Sequence, residues 1–368
     1  MRLSARGFDD LTASNPTDAG FDYPPNLFSS LASAVSLRYD PKPFGLPAAR
    51  EAVAADYARR GVKVQASNIA LTASSSESYA LLFKLLCDPG DSVLVPTPSY
   101  PLFEHLTRLD NVHARPYGTQ YHGTWAIDLE DLKNAITPTT RAILVVSPNN
   151  PTGAWLKRDE LSALTELCAT HSLALIGDEV FVDYPIEPAE TSQASVIEQR
   201  DVLTFSLGGL SKSVGLPQVK LGWIAASGPS LPLRAALMRL ELIADTYLSV
   251  STPVQAAAPQ LLSAGATVRE QIQRRVLQNY HTLRELANTC SACEVLRAEG
   301  GWSAVVRIPH TMPEDERAIG LLEDHHVLVH PGYFFDFPRD GYVVVSLLPR
   351  PDIFRAAAER LFRAVEAG

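Results

Sequence analysis

The chain has 368 residues, of which 46% are hydrophobic and 20% charged, and its formal net charge is -9 at pH 7. This length exceeds what one hydrophobic core usually supports, so two domains are expected. The composition is typical of a soluble globular protein, and the negative charge disfavours nucleic-acid binding, which needs clustered Lys and Arg.

The sequence also argues against a membrane or secreted protein. No apolar run approaches the ~20 residues that cross a bilayer. Arg2 and Arg6 near the start are not followed by an apolar stretch, so no secretory signal is predicted and a cytoplasmic location is favoured.

The four cysteines favour a structural interpretation. Cys87 and Cys168 fall inside apolar, helix-like stretches and are expected to be buried. Cys290 and Cys293 form a CxxC, but no second CxxC or histidine pair accompanies it. Reduced thiols are therefore favoured over a redox or zinc site, and no metal site is predicted.

Apolar runs of strand length alternate with segments of helical period between about residues 69 and 226. These runs are nearly continuous, as expected for parallel strands covered on both faces. The alternation predicts an α/β fold with a mostly parallel sheet, which binds ligands at the carboxyl ends of its strands. The predicted strands are SVLVPTP (92–98), RAILVVSP (141–148), LALIGDE (173–179), DVLTFSL (201–207) and LGWIAAS (221–227).

The pattern changes in the last third of the chain. Residues 253–286 predict one continuous helical stretch that links two domains. Short strands in SAVVRIP (303–309), VLVHP (327–331) and GYVVVSLLP (341–349) then precede a final helix over 352–366, which is typical of an α+β unit. The predicted division is an N-terminal segment (1–40) joining the small domain, a large domain (41–265) and a small C-terminal domain (266–368).

One segment carries two lysines at the mouth of the predicted sheet. GGLSKSVGLPQVKLGW (208–223) places Lys212 on a loop after a strand, with small neighbours that leave room for a ligand. A lysine that forms a Schiff base must lose its proton, which desolvation and a nearby cation favour. Lys220 could supply positive charge for a phosphate. Taken alone, two loop lysines are more typical of solvated surface.

Polar and aromatic groups follow other predicted strands. Asp178 could pair with a protonated ring nitrogen, and Asn150 in SPNNPTGA (147–154) could donate its amide to a ring oxygen. TASSSES (72–78) offers hydroxyls and backbone amides at a helix start, and Tyr100 offers a ring face for stacking. Each could be an ordinary turn, cap or core residue, but turns and caps alone explain the whole set poorly.

These segments resemble a known family. The chain is similar to fold-type I pyridoxal-phosphate enzymes of the class I/II aminotransferase family. The similarity is most specific in three motifs: NNPTG, DEVF, and an SK pair followed after seven residues by K-x-GW. The resemblance runs from RYDPKPFGLPAAREAVAADY (38–57) to the C-terminal region. It implies a PLP-transferase fold of type I, pyridoxal 5′-phosphate as cofactor, an amino substrate with a 2-oxo acid, and a homodimer.

The resemblance also implies roles for individual residues. Lys212 would hold the cofactor as a Schiff base and move protons, Asp178 would pair with the ring nitrogen, and Tyr100 would stack on the ring. Asn15, in the SNP segment, would lie over the substrate. The other implied cofactor contacts are Ser74, Ser75, Ser76, Asn150, Phe181, Ser211, Lys220 and, from the partner subunit, Tyr39.

Three cofactor positions depart from the family pattern. Phe181 replaces a tyrosine whose hydroxyl bonds the ring oxygen, and its loss should leave the Schiff-base nitrogen more basic, unless Tyr184 takes its place. Lys220 replaces an arginine. Gly209 replaces a small hydroxyl residue, for which Ser211 could substitute.

The largest departure concerns the substrate. Val344 stands where the family has the arginine that binds the substrate α-carboxylate. Three alternatives follow: Arg350 binds the carboxylate, another cation such as Arg38 or Lys42 does, or the substrate has no carboxylate there. HPGYFFDF (330–337) could add aromatic bulk to the site, although core packing is the favoured interpretation.

An aminotransferase is the leading functional prediction. The alternative is another reaction on the same cofactor, such as elimination, decarboxylation, racemisation or cyclisation, because Lys212 would serve each. A non-catalytic cofactor-binding regulator is disfavoured, since Lys212, Asp178 and Asn150 are all present and no DNA-binding segment is appended.

Overall fold

The computed structural model describes residues 7–367. Arg2 and Arg6, on which the prediction of no secretory signal rests, lie outside these residues. None of the described helices is long and apolar enough to span a bilayer.

A large sheet forms the centre of the molecule. After β1 (Asp9–Asp10), which belongs to a smaller sheet, eight strands of the described chain build it. They are β2 (Ile69–Thr72), β3 (Ser92–Thr97), β4 (His113–Tyr121), β5 (Trp125–Ile127), β6 (Thr140–Val146), β7 (Ala174–Asp178), β8 (Thr204–Gly209) and β9 (Gly222–Ser227). Their order across the sheet is β2-β9-β8-β7-β6-β3-β4-β5.

The sheet is mostly parallel, as predicted, but two of its strands run in the opposite direction. Strands β3, β4, β6, β7 and β8 run parallel, whereas β9 is antiparallel to both of its neighbours and β5 is antiparallel to β4. The expectation that the run in β9 marks a parallel strand is therefore wrong. A continuous apolar run indicates that both faces of a strand are buried, but burial does not determine the direction of the strand.

Helices bury both faces of this sheet. Successive residues of β6 point to opposite sides: Leu144 packs in a core with residues of α2 (Ser75–Leu86), and Ile143 packs in another with residues of α5 (Arg158–His171). The remaining helices of this region are α1 (Pro47–Arg59), α3 (Phe103–Leu109), α4 (Leu129–Ala135), α6 (Leu210–Ser213) and α7 (Ser230–Tyr247).

The long helical stretch predicted over residues 253–286 is interrupted. It forms α8 (Thr252–Ala264) and α9 (Ala266–Ala287), which meet at Gly265. A Cβ atom at this glycine would lie 2.6 Å from both the Leu261 carbonyl oxygen and the Val214 Cβ. Only glycine allows this close approach, which periodicity does not reveal.

A second sheet follows α9. Its strands are β10 (Glu294–Val295), β11 (Ser303–Arg307), β13 (His330–Pro331) and β14 (Tyr342–Ser346). They are antiparallel and lie in the order β10-β11-β14-β13, and β1 pairs in parallel with β12 (Val327–Leu328). The Ser346 amide also donates to the Leu11 carbonyl at 2.6 Å, so the chain around Leu11 packs on this sheet. The helices of this region are α10 (Glu314–His325) and α11 (Pro351–Glu366).

The four cysteines are free thiols and lie outside the lining of the cavity described below. Cys168 is buried, as predicted, whereas Cys87 is only partly buried. Burial raises the pKa of both thiols to about 12. In the CxxC, Cys290 is buried and Cys293 half-buried.

Candidate active site

A cavity of about 370 Å³ opens at the carboxyl ends of β6 and β7. This is the edge where open α/β sheets bind ligands. The far wall comes from the second sheet, so the cavity lies between the two sheets. Six residues predicted from the sequence line it together: Ser75, Tyr100, Asn150, Asp178, Phe181 and Lys212.

Lys212 lies on the short helix α6 directly after β8, not on the predicted loop. Its Nζ lies 5.0 Å from the ring centroid of Trp302 and 5.5 Å from that of Phe181. Burial lowers the pKa of this amine, an effect that the Asp178 carboxylate opposes. The surroundings therefore favour the unprotonated amine, which is the form that attacks a carbonyl carbon.

Two buried side chains donate hydrogen bonds to the backbone at Lys212 and Ser213. The Tyr184 hydroxyl donates to the Lys212 carbonyl at 2.5 Å, and Arg269 Nε donates to the Ser213 carbonyl at 2.8 Å. Both side chains are buried, so these bonds fix the start of the lysine side chain. Tyr184 thus supports the backbone and does not replace the hydroxyl that Phe181 lacks.

Asp178, the last residue of β7, is buried and bonded on both oxygens. The Tyr79 hydroxyl donates to its Oδ2 at 2.7 Å, and the Val180 amide donates to its Oδ1 at 3.1 Å. Burial raises the pKa of this carboxyl, while the Tyr79 bond, the Val180 amide and the charge of Lys212 counteract the rise. Sequence reasoning missed Tyr79, although it lies four residues after Ser75 on the same face of α2.

Glu179, next to Asp178, points into a different environment. Its carboxylate accepts hydrogen bonds from the Ser206 hydroxyl at 2.6 Å, the Val196 amide at 2.7 Å and the Ser195 hydroxyl at 2.7 Å. It is 4% exposed and lies outside the cavity lining. Of the two adjacent carboxylates, only Asp178 is available to a ligand.

The predicted anion site occupies the start of α2. Ser74 caps the helix, because its hydroxyl accepts from the Glu77 amide at 3.2 Å. Ser75 lines the cavity, whereas Ser76 does not. The positive end of the α2 dipole therefore points at the cavity beside Ser75.

Three other predicted cofactor residues lie outside the cavity lining: Ser211, Lys220 and Tyr39. Lys220 is exposed in the left-handed region at φ 60°. Tyr39 is 75% exposed on the surface of the protomer. Their predicted contacts stay predictions.

Asn150 and Tyr100 form two further sides of the cavity. The Ser303 hydroxyl donates to Asn150 Oδ1 at 3.3 Å, which orients the amide and leaves its NH₂ group for a ligand. The Tyr100 ring is 46% exposed, and its centroid lies 6.5 Å from that of Phe335.

The far wall is largely apolar. Val344 lines it and is 1% exposed, with Phe334, Phe335 and Trp302 beside it. The favoured interpretation of the 330–337 stretch as core packing is confirmed for Phe335, which is 3% exposed and packs in a core cluster with Val344 while it also lines the cavity. It is wrong for Phe334, which lines the cavity and is 38% exposed. His330 shares this wall and stacks on Phe334 with ring centroids 4.9 Å apart.

The two residues predicted to bind substrate lie outside the cavity lining. The Arg350 guanidinium pairs with the Asp352 carboxylate, with Nη2 and Oδ2 3.0 Å apart. Asn15 Nδ2 donates to Asp18 Oδ2 at 2.6 Å, and its Oδ1 caps a short 3-10 helix. Thr12 and Ser14, which the sequence analysis did not select, line the cavity instead.

Comparison with known proteins identifies the scaffold that carries this cavity. The family model described as aminotransferase class I and II matches residues 26–359. The chain belongs to this family. The prediction made from NNPTG, DEVF and the lysine segment is thereby confirmed.

Individual relatives of this aminotransferase align along nearly its whole length. It is 27% identical over 363 residues to the glutamate-pyruvate aminotransferase AlaA of Escherichia coli strain K12, covering 96% of this chain and 89% of the relative. It is 27% identical to the alanine aminotransferase of Mycobacterium tuberculosis strain H37Rv, covering 98% and 86%. The structure of the alanine aminotransferase from Pyrococcus furiosus superimposes with a TM-score of 0.89 at 25% identity, covering 99% and 93%.

These similarities confirm the predicted type I fold and a transferase of the EC 2.6.1 type. The alternative of a different reaction on the same cofactor is not favoured, because the named relatives transfer amino groups. The family implies dependence on pyridoxal phosphate.

This aminotransferase presents an aromatic wall where the family pattern has a hydroxyl. Phe181 packs edge-on against Trp302, with ring centroids 5.4 Å apart and an interplanar angle of 70°. Tyr184 also packs edge-on against Trp302, with ring centroids 5.1 Å apart. The Phe181 and Trp302 rings form one apolar side of the space around the Lys212 amine.

Proposed function

We propose that this aminotransferase binds pyridoxal 5′-phosphate in the cavity between Lys212 and Asp178. It would transfer the amino group of an amino acid or related amine to a 2-oxo acid. The observation that carries the proposal is a buried amine of lowered pKa in the same cavity as a buried carboxylate. Such a pair marks a functional site more often than a structural one when it lines a cleft.

The residues present fit this cofactor. Lys212 offers its amine, whose pKa burial lowers, for the aldehyde carbon of the cofactor, and Asp178 offers a carboxylate for its ring nitrogen. Asn150 offers an amide for the ring oxygen, Ser75 marks a helix start for the phosphate, and Tyr100 offers a ring face. When bound, the cofactor withdraws electrons from the reacting carbon of the substrate.

The chain itself supplies proton transfer and exclusion of water. A general acid–base group works best when its pKa lies near the working pH, and burial moves the Lys212 amine in that direction. Phe181 and Trp302 cover the amine with apolar surface, which strengthens electrostatic interactions inside the cavity. Tyr79 supports the ionised form of Asp178, the form that a protonated ring nitrogen needs.

Several finer points belong to the same proposal. The protein would act as a cytoplasmic homodimer, in which the exposed Tyr39 reaches the phosphate of the partner subunit. The domain limits at residues 40/41 and 265/266 stay predictions, as do roles for Asn15 and Arg350. The other proposed phosphate-side contacts are Ser74, Ser76, Ser211 and Lys220.

The test is a single-turnover experiment. Protein loaded with pyridoxal phosphate is mixed with an amine donor in the absence of any acceptor, and the cofactor is then extracted and identified by mass. Aminotransfer predicts pyridoxamine phosphate in an amount equal to the carbonyl product released. Release of ammonia or carbon dioxide with unchanged cofactor would contradict the proposal, and Lys212→Met serves as the inactive control.

A further inference from the structure

We infer that Glu299, which lies outside the cavity lining, is a positioning residue for Asn150. Its carboxylate holds the loop that carries Asn150 (149–157, the Asn150 loop) against the chain that leads into β11 (298–303, the wall segment). The inference rests on the proposed function, in which Asn150 binds the ring oxygen of the cofactor. Glu299 is 1% exposed, so a partner subunit cannot reach it and its surroundings are complete within one protomer.

A buried ion pair joins the two segments. Glu299 Oε2 accepts hydrogen bonds from Lys157 Nζ at 2.6 Å and from the Trp155 amide at 3.0 Å. Lys157 Nζ also donates to the Trp125 carbonyl of β5 at 2.8 Å, which ties the pair to the large sheet. Burying two charges costs about as much hydration energy as their attraction returns, so a buried pair is weak evidence for stability. What the pair supplies is a fixed geometry between the segments that it joins.

The backbones of the two segments are also in direct contact. The Gly153 carbonyl accepts hydrogen bonds from the amides of Glu299 at 3.0 Å and Gly300 at 3.1 Å. A Cβ atom at Gly153, which has φ 69°, would lie 2.7 Å from the Gly300 carbonyl oxygen. Because Gly153 lies only three residues after Asn150, a shift of the wall segment moves the Asn150 loop as well.

The wall segment ends in two residues that line the cavity. The Ser303 hydroxyl donates to Asn150 Oδ1 at 3.3 Å, and the Trp302 ring centroid lies 5.0 Å from Lys212 Nζ. Removing the carboxylate from the ion pair leaves a buried ammonium without its counter-charge, which is costly unless the two segments rearrange. The rearrangement displaces the Ser303 hydroxyl and, with it, the Asn150 amide.

The consequence for the bound cofactor has a definite sign. An amide that donates to the ring oxygen favours the deprotonated form of the cofactor. When the Asn150 amide is displaced, this donation weakens and the cofactor keeps its proton to higher pH. The midpoint of the pH-dependent absorbance change therefore moves to higher pH. Affinity for pyridoxal phosphate falls by about threefold to tenfold, the contribution of one ordinary hydrogen bond.

The test measures the absorbance midpoint and the cofactor affinity of Glu299→Gln, by pH titration of the loaded protein and by calorimetry. Both should change as stated. In an Asn150→Ala background the midpoint should already be raised, and adding Glu299→Gln should shift it no further, because the two residues act through one contact. If Glu299→Gln does not fold, Glu299→Asp replaces it. This variant keeps the charge but shortens the side chain, and it should shift the midpoint in the same direction.

Asp91→Asn is the matched control for lost stability. Asp91 is buried just before β3, outside the cavity lining, and its Oδ2 lies 2.9 Å from Arg141 Nε. The variant breaks this ion pair at the other end of the strand, so it should lower Tm without moving the absorbance midpoint. An equal shift in Asp91→Asn would show that lost stability alone moves the midpoint, and would overturn the inference.

Two other results would overturn the inference while leaving the proposed function intact. One is an unchanged midpoint in Glu299→Gln despite a lower Tm, which would make the ion pair purely structural. The other is a full further shift in the Asn150→Ala background. If the wild-type protein does not bind pyridoxal phosphate, the proposed function fails instead. Hydrogen exchange of the cofactor-free proteins then decides whether Glu299 holds the two segments: Glu299→Gln should speed exchange in both 149–157 and 298–303, and wild-type exchange there would refute it.

Discussion

Replacing Tyr79 by phenylalanine removes a single hydrogen bond from the carboxylate at the base of the cavity. The Tyr79 side chain is fully buried, and its hydroxyl donates to Asp178 Oδ2 at 2.7 Å. The substitution deletes one oxygen atom without changing the ring that packs against Phe103. Its effect on the cofactor should therefore arise through Asp178 alone.

The size of the effect follows from the charge of the acceptor. A hydrogen bond to a charged group contributes about 1.5–3 kcal/mol, and one pKa unit corresponds to about 1.4 kcal/mol. The pKa of Asp178, already raised by burial, should rise further when the Tyr79 hydrogen bond is lost. Below this raised pKa, the Asp178 carboxyl of the variant is protonated, and it must lose the proton before it can pair with a protonated ring nitrogen. Cofactor affinity should fall by about 10-fold to 100-fold there and approach the wild-type value at higher pH.

The assay is a titration of cofactor-free protein with pyridoxal phosphate at several pH values. Tyr117→Phe is the matched control, since Tyr117 is equally buried and donates to the Leu144 carbonyl at 2.8 Å. It should lower the free energy of unfolding by about 1 kcal/mol and leave cofactor affinity unchanged. Equal affinity loss in both variants, or a loss in Tyr79→Phe that is independent of pH, would refute this reasoning.

Three further predictions address other parts of the molecule. Lys212→Met should raise the Tm of the cofactor-free protein at pH 7. Because folding lowers the pKa of the Lys212 amine, the buried amine destabilises the fold below that pKa, and this destabilisation fades as pH rises. Thermal melts of the variant and the wild type should therefore converge at alkaline pH. Phe181→Tyr adds a hydroxyl to the cavity and should shift the pH titration of the bound cofactor's absorbance to lower pH, whereas an unshifted titration would show that the hydroxyl does not reach the ring. Glu299→Gln breaks a buried ion pair, in which Lys157 Nζ and Glu299 Oε2 lie 2.6 Å apart. Chemical denaturation should show that the free energy of unfolding falls by about 3–5 kcal/mol. Lys133→Ala removes a surface ion pair with Glu130 and should leave Tm unchanged.

The sequence was most informative where local chemistry decides the structure. Buried runs such as those in β6 and β7 have few alternatives to a central strand, and Asp178 at the end of β7 could be assigned to the ligand edge without coordinates. Lys212 was recognised because small residues follow its strand. Its short helix was not predicted, since four residues are too few to show a helical period.

Features that depend on contacts between distant segments were not predictable. The antiparallel pairing of β9 with β2 and the helix break at Gly265 against Val214 involve elements far away in sequence. The sequence predicts only that Tyr79 is a core residue in an apolar helix. The fold is needed to show that its hydroxyl donates a hydrogen bond to Asp178. The far wall of the cavity forms because β13 and β14 bring His330 and Val344 side by side.

The central claim is that Lys212 holds the cofactor, and chemical trapping tests it most directly. Protein incubated with pyridoxal phosphate is reduced with borohydride, digested and mapped by mass spectrometry. The account predicts that the added mass lies on the peptide containing Lys212, and that Lys212→Met carries none at stoichiometric cofactor. Modification of Lys220, or of scattered surface lysines with Lys212 unmodified, would contradict it.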